Sequence, residues 1–80
     1  MTPEYVAKVL MRRDEISKEE AMDMIRECAE AIRDCGYDCI ESEELMADIL
    51  GLEPDYMFAV LETINPYATI ARTNKNDSRN

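Results

Sequence analysis

Three cysteines and eighteen carboxylates are the side chains with most reactive potential in this 80-residue chain, and no histidine stands beside them. Cys28, Cys35 and Cys39 follow a C-x6-C-x3-C spacing that does not recur in zinc sites. A fourth ligand would have to be a carboxylate such as Asp38 or Glu41. A nucleophilic cysteine needs a base to ionise it, whereas nearby negative charge raises a thiol pKa. Asp34, Asp38 and Glu41 surround Gly36, but the one-three-five ligand spacing of a calcium loop is missing. A glycosidase-like acid pair needs an enclosing pocket, and a small helical domain has little volume for one. The sequence therefore predicts a protein that is not an enzyme, with no catalytic residue, no metal ligand and no cofactor.

The carboxylates are more informative as a charge distribution. Nine Lys and Arg against eighteen Asp and Glu give a formal net charge of −9. Residues 1–33 hold eight acids and six bases, residues 34–63 hold nine acids and no base, and residues 64–80 hold one acid and three bases. The whole excess thus sits on 34–63, and it disfavours DNA, RNA and anionic membranes as direct partners, because each rewards clustered cations. Asp38, Glu41, Glu43, Glu44, Asp48, Glu53, Asp55 and Glu62 are the candidate partner-binding residues.

Four short helices must position these acids. Thr2-Pro3-Glu4 gives a hydroxyl cap, a proline at the first helical position and an acid in the first turn, predicting a helix over Pro3–Arg13 with Tyr5, Val6, Val9 and Leu10 inward. Ser17-Lys18-Glu19-Glu20 matches a capping box. Ala21, Met22, Ile25, Cys28, Ala29, Ile32 and Cys35 then form a 3.6-residue stripe that Gly36 ends, predicting a helix over Lys18–Cys35. A third helix starts at a cap offered by Asp38 or by Ser42, turns Leu45, Met46, Ile49 and Leu50 inward and stops at Gly51. Glu53-Pro54-Asp55 opens a fourth over Pro54–Thr63, with Tyr56, Met57, Val60, Leu61 and Ile64 inward.

The expected fold is therefore all-α: a compact bundle of three to four short helices over 1–65, with a helix-turn-helix-like hairpin at its C-terminal end. Ala47 stands four residues before the turn glycine Gly51, where a small side chain would let two helices cross closely. As a DNA reader that hairpin is poorly equipped, because its second helix offers Glu53, Asp55 and Glu62 and no Arg, Lys, Asn or Gln. Residues 66–80 are polar, with Tyr67 and Ile70 as the large apolar exceptions and Arg72, Lys75 and Arg79 as cations, which predicts a partly or fully disordered tail.

Of the six methionines, Met22, Met46 and Met57 lie on inner stripes, and Met11 and Met24 are candidates for an exposed apolar patch, with homodimerisation as its simplest use. Three cysteines do not all pair within one chain, so free buried thiols are expected. Met1 to Tyr5 carries no basic and apolar leader and no stretch is long and apolar enough to span a bilayer, so a cytoplasmic protein is expected.

Arg13-Asp14-Glu15-Ile16-Ser17-Lys18-Glu19-Glu20-Ala21 and Leu50-Gly51-Leu52-Glu53-Pro54-Asp55-Tyr56 resemble the R-D-G-I-S-x-E-E-A and L-G-L-E-P-D-Y motifs of small acidic uncharacterised proteins from phages and prophages of gut bacteria. The resemblance covers roughly Val9 to Leu61, and the chain departs from it at Glu15, where that pattern usually has glycine. It implies a phage or mobile-element origin, hence a host-cell cytoplasm, and it carries no activity over onto these residues. The leading expectation is a non-enzymatic accessory protein whose acidic third and fourth helices bind a host or phage protein. The alternatives are an acidic DNA-mimic inhibitor of a nucleic-acid-binding protein and a helix-turn-helix-like transcription regulator anchored by its basic tail.

Overall fold

Thr2 starts the chain's first helix as its position predicts: its Oγ1 accepts a hydrogen bond from the Tyr5 N–H at 3.2 Å, with Pro3 at the first helical position. The computed structural model describes residues 1–64, so the expectation of a disordered tail lies outside the described residues. Helix α1 is Pro3–Asp14, α2 is Lys18–Asp34, α3 is Cys39–Leu45 and α4 is Met57–Leu61. Met46–Leu50 continues α3 as a π-helical turn, and Pro54–Tyr56 is a 3₁₀ turn leading into α4. The described residues contain no strand, and the fold is a small all-α bundle.

Each helix end has a local cause. Ser17 Oγ accepts from the Glu20 N–H at 3.1 Å, forming one half of the expected capping box. The far end of α2 closes in a Schellman motif: Gly36 stands at φ +72°, its N–H reaches the Arg33 carbonyl at 2.9 Å, and the Tyr37 N–H reaches the Ile32 carbonyl at 3.0 Å. Asp38 is the cap of α3, its Oδ2 accepting from the Glu41 N–H at 2.9 Å. Ser42, the competing cap, is instead a buried side chain within α3.

Helix α2 is the central element, touching α1, α3, the π-helical turn and α4. Its Ala21, Ile25, Cys28, Ala29 and Ile32 are buried against Val6, Ala7 and Leu10 of α1, Met46 and Leu50 of the π-helical turn, and Ala59 and Val60 of α4. Met46 and Leu50 therefore fill the core as the inner stripe predicts, while Leu45 and Ile49 pack partly buried beside them.

Several expectations change in detail. Tyr5 is 51 % exposed rather than inward, because Val6, Ala7 and Leu10 occupy the buried side of α1. Helix α1 runs to Asp14 and α2 ends at Asp34, with Cys35 as its cap. The fourth helix is not continuous over Pro54–Thr63: it divides into the 3₁₀ turn and the five-residue α4, followed by turns through Ile64. Its buried edge centres on Ala59 and Val60, so Tyr56, Met57, Leu61 and Ile64 are half-buried flanks. Ala47 is exposed, so the hairpin forms without a close crossing at that residue. Met11 and Met24 are partly buried against the core rather than freely exposed.

Candidate functional site

The sequence singled out the acids of 34–63, and the structure gives them different environments. Asp38 is occupied as the cap of α3. Glu41, Glu43, Glu44 and Asp48 are exposed, as are Glu53 and Asp55 around Pro54, and Glu62 is half-buried at the end of α4. Glu41, Glu44 and Asp48 are spaced three and four apart, which stacks them in one outward stripe. Glu43 lies off that stripe and borders a groove.

That groove lies between the α3 side and the α4 side of the hairpin and has a volume of about 420 Å³. Tyr37, Cys39 and Ser42 line it from one side, and Pro54, Met57, Phe58 and Leu61 from the other. Phe58 is 82 % exposed and Tyr37 52 %, and Ile40 on the same hairpin is 72 % exposed. A solvent-facing aromatic residue is ordinary when isolated, but two of them bordering one apolar depression form a patch of the kind that partners cover.

The local chemistry explains why the groove is open. Tyr37 follows Gly36 in the Schellman turn and is itself left-handed at φ +60°, placing it at the α2–α3 corner. Helix α4 buries its small Ala59 edge, which leaves Met57 and Leu61 to line the groove and Phe58 beyond them. Ser42 is 1 % exposed, and its side-chain hydrogen bond is with Cys35 Sγ at a long 3.9 Å, either atom donating. Each lining segment carries acids beside it: Asp38 between Tyr37 and Cys39, Glu43 in the lining, Glu53 and Asp55 around Pro54, and Glu62 after Leu61.

No protein-family model, curated protein or solved structure matches the chain. Its own chemistry is therefore what bears on function.

The cysteines are three different groups rather than three buried thiols. Cys28 is fully buried, and burial, with a smaller contribution from the Glu27 charge, pushes its thiol up to about 11. Its Sγ donates weakly to the Leu45 carbonyl at 3.8 Å and lies 3.9 Å from Met46 Sδ, the arrangement of a core side chain. Cys35 is half-buried, donating to the Ile32 carbonyl at 3.1 Å, and Cys39 is exposed because it opens α3 at the surface. Among the described residues, no group of three His, Cys, Asp or Glu side chains is placed to hold a metal ion, and no helix is long and apolar enough to cross a membrane.

Sequence reasoning missed Tyr37, Ile40 and Phe58. For Phe58 a signal was present: the predicted inner face of the fourth helix already held five apolar residues, and Phe58 was the large one left over. Tyr37 carried no comparable signal, because its exposure comes from the turn geometry after Gly36.

Proposed function

We propose that this protein is a non-enzymatic interaction module that binds a host or phage protein through the face built by α3 and α4. One observation carries the reading: the exposed Phe58 and Tyr37 border an apolar groove on the segment that holds nine acids and no base. Interaction surfaces commonly combine an aromatic anchor with a polar rim, and the anchor supplies most of the affinity. The resemblance to small acidic phage and prophage proteins supports a mobile-element origin and the cytoplasm of a host cell as the setting.

The test is capture from gut-bacterial lysate by the full-length tagged protein, beside the variant Phe58→Ser, whose side chain is exposed at the groove. A specific protein retained by the wild type and lost by the variant is the expected result. Equal capture by both, or no specific protein with either, overturns the reading.

The stripe Glu41, Glu44 and Asp48 favours a second reading, an acidic mimic of DNA that occupies the phosphate groove of a nucleic-acid-binding protein. At about 1.5 Å of rise per residue those three charges span about 10 Å. Duplex DNA carries one charge per about 1.7 Å of axis, so the stripe is roughly threefold thinner. DNA mimicry also gives no role to Phe58, and competition by duplex DNA for the captured partner separates the two readings.

A further inference from the structure

We infer that the groove between α3 and α4 receives the apolar side of a short, basic, amphipathic helix contributed by a partner protein. The inference rests on the reading of this face as a protein-binding surface, and it adds the chemistry of what binds. The apolar contribution comes from Met57, Phe58 and Leu61 on one wall and Tyr37 on the other, with Phe58 four-fifths exposed and so able to bury area only when something docks. The groove volume of about 420 Å³ suits a few apolar side chains from successive turns, the mode in which an amphipathic helix reads a groove.

Charge selects the sign of the occupant. Acids flank every lining segment and residues 34–63 contain no base, so a helix with Lys or Arg beside its apolar stripe meets complementary charge on both sides of the groove. The same argument disfavours a second copy of this chain, whose net charge of −9 would repel its twin. One surface such a copy offers among the described residues is that where Lys8 and Arg12 flank Met11 and Ile16. The groove lining also includes the Ser42 hydroxyl, whose side-chain partner among the described residues is the Cys35 sulfur.

The experiment uses the full-length protein and a synthetic fluorescent peptide about four helical turns long, with leucines at i, i+3, i+4 and i+7 and lysines flanking them. Two control peptides replace the lysines by glutamates or the leucines by serines. Saturable binding of the first peptide alone is expected, at least tenfold weaker with Phe58→Ser at unchanged circular dichroism and melting temperature, and weakened also by Glu43→Lys. Equal binding of the serine peptide overturns the groove while leaving an electrostatic acidic face in place. Loss with Glu43→Lys but not with Phe58→Ser has the same meaning. No binding by the leucine–lysine peptide overturns the proposed occupant, and sedimentation as a dimer that Phe58→Ser converts to monomer assigns the groove to a second copy. Indifference to both substitutions overturns the groove and the acidic face together.

Discussion

Arg13 closes the end of a helix on which it does not lie: its Nη2 donates to the Leu50 carbonyl at 2.7 Å and its Nη1 to the Gly51 carbonyl at 3.0 Å. Carbonyls at a helix end lack intrahelical partners, and here α1 supplies them to the π-helical turn. Asp14 holds the guanidinium in place through two 2.8 Å bonds, one from Nε and one from Nη2. Gly51 belongs to the same device, because it stands at φ +66° and a Cβ there would lie 3.1 Å from Arg13 Nη1. Charged hydrogen bonds contribute about 1.5–3 kcal/mol, and partial exposure of the Arg13 side chain lowers that. Arg13→Ala is therefore expected to cost about 1–2 kcal/mol in a urea titration, and Arg13→Lys nearly as much because one ammonium does not replace the fork. Gly51→Ala falls in the same range, since it adds left-handed strain and displaces the guanidinium. An unchanged urea midpoint in all three would remove Arg13 from the scaffold.

The Arg13–Asp14 pair also sets an acid dependence. The hydrogen bond from Arg13, with a smaller charge contribution, holds the Asp14 carboxyl below its usual range. A carboxyl whose folded value is depressed contributes stability above its unfolded value of about 3.9 and loses it as pH falls through the folded value. Asp14→Asn removes that contribution at neutral pH. The stability difference between wild type and Asp14→Asn should thus shrink as pH falls below about 4, measured as urea midpoints at a series of pH values. A difference that stays constant down to pH 2 would contradict the linkage.

Glu15 shows where a sequence pattern carried physics that composition did not. It adopts φ 56° and ψ 48° as the cap of α1, a left-handed conformation that glycine reaches without the steric cost of a Cβ. The phage-type motif that the segment resembles usually has glycine at this position. Glu15→Gly is expected to raise stability by about 0.5–1 kcal/mol, the steric relief exceeding the added freedom of the unfolded chain. A lower melting temperature for the variant would show that the Glu15 side chain stabilises the turn by some other means.

What was legible in the sequence depended on whether the cause was local. Thr2, Ser17, Gly36 and Gly51 mark ends they bring about themselves, so helix order and most boundaries could be read. Ser42 against Asp38 as a cap could not, because the choice rests on burying Ser42 within α3, beside Cys35 at the end of α2. Ala47 misled for the same reason: smallness permits a close crossing, but the rotation of the π-helical turn that buries Met46 and Leu50 leaves Ala47 outside. The acids were readable as a segment, whereas the groove they flank depends on which edge of α4 packs inward, a tertiary outcome.

Cys28 predicts an alkaline limit and an order of reactivity. A thiol raised to about 11 in the fold stays protonated there while the unfolded chain ionises from about 8.5. The folded state gains this contribution in full below the unfolded value and loses it as pH rises toward about 11. Cys28→Ala, which leaves a small void, is expected to cost about 1 kcal/mol at pH 7, and the gap to wild type should narrow between pH 9 and 10.5. Under native conditions a thiol reagent should modify exposed Cys39 first, half-buried Cys35 more slowly and Cys28 at the rate of opening. Simultaneous modification of all three would contradict the burial of Cys28.

Ser42 offers a test of what the groove costs the free protein. A hydroxyl that is 1 % exposed and bonded, among the described residues, only to a sulfur 3.9 Å away has given up water for a weak partner. Leaving a buried polar group poorly satisfied costs about 1–3 kcal/mol, part of which the thiol contact and the small size of the group recover. Ser42→Ala is therefore expected to stabilise the protein by about 0.5–1 kcal/mol, read as a rise of several degrees in melting temperature for a domain this small. Ser42→Val should do the opposite, because a methyl in place of the hydroxyl and a second methyl beside it overfill a side-chain site that is 1 % exposed. A destabilised Ser42→Ala would mean that the hydroxyl holds α3 against Cys35 more firmly than its 3.9 Å separation implies.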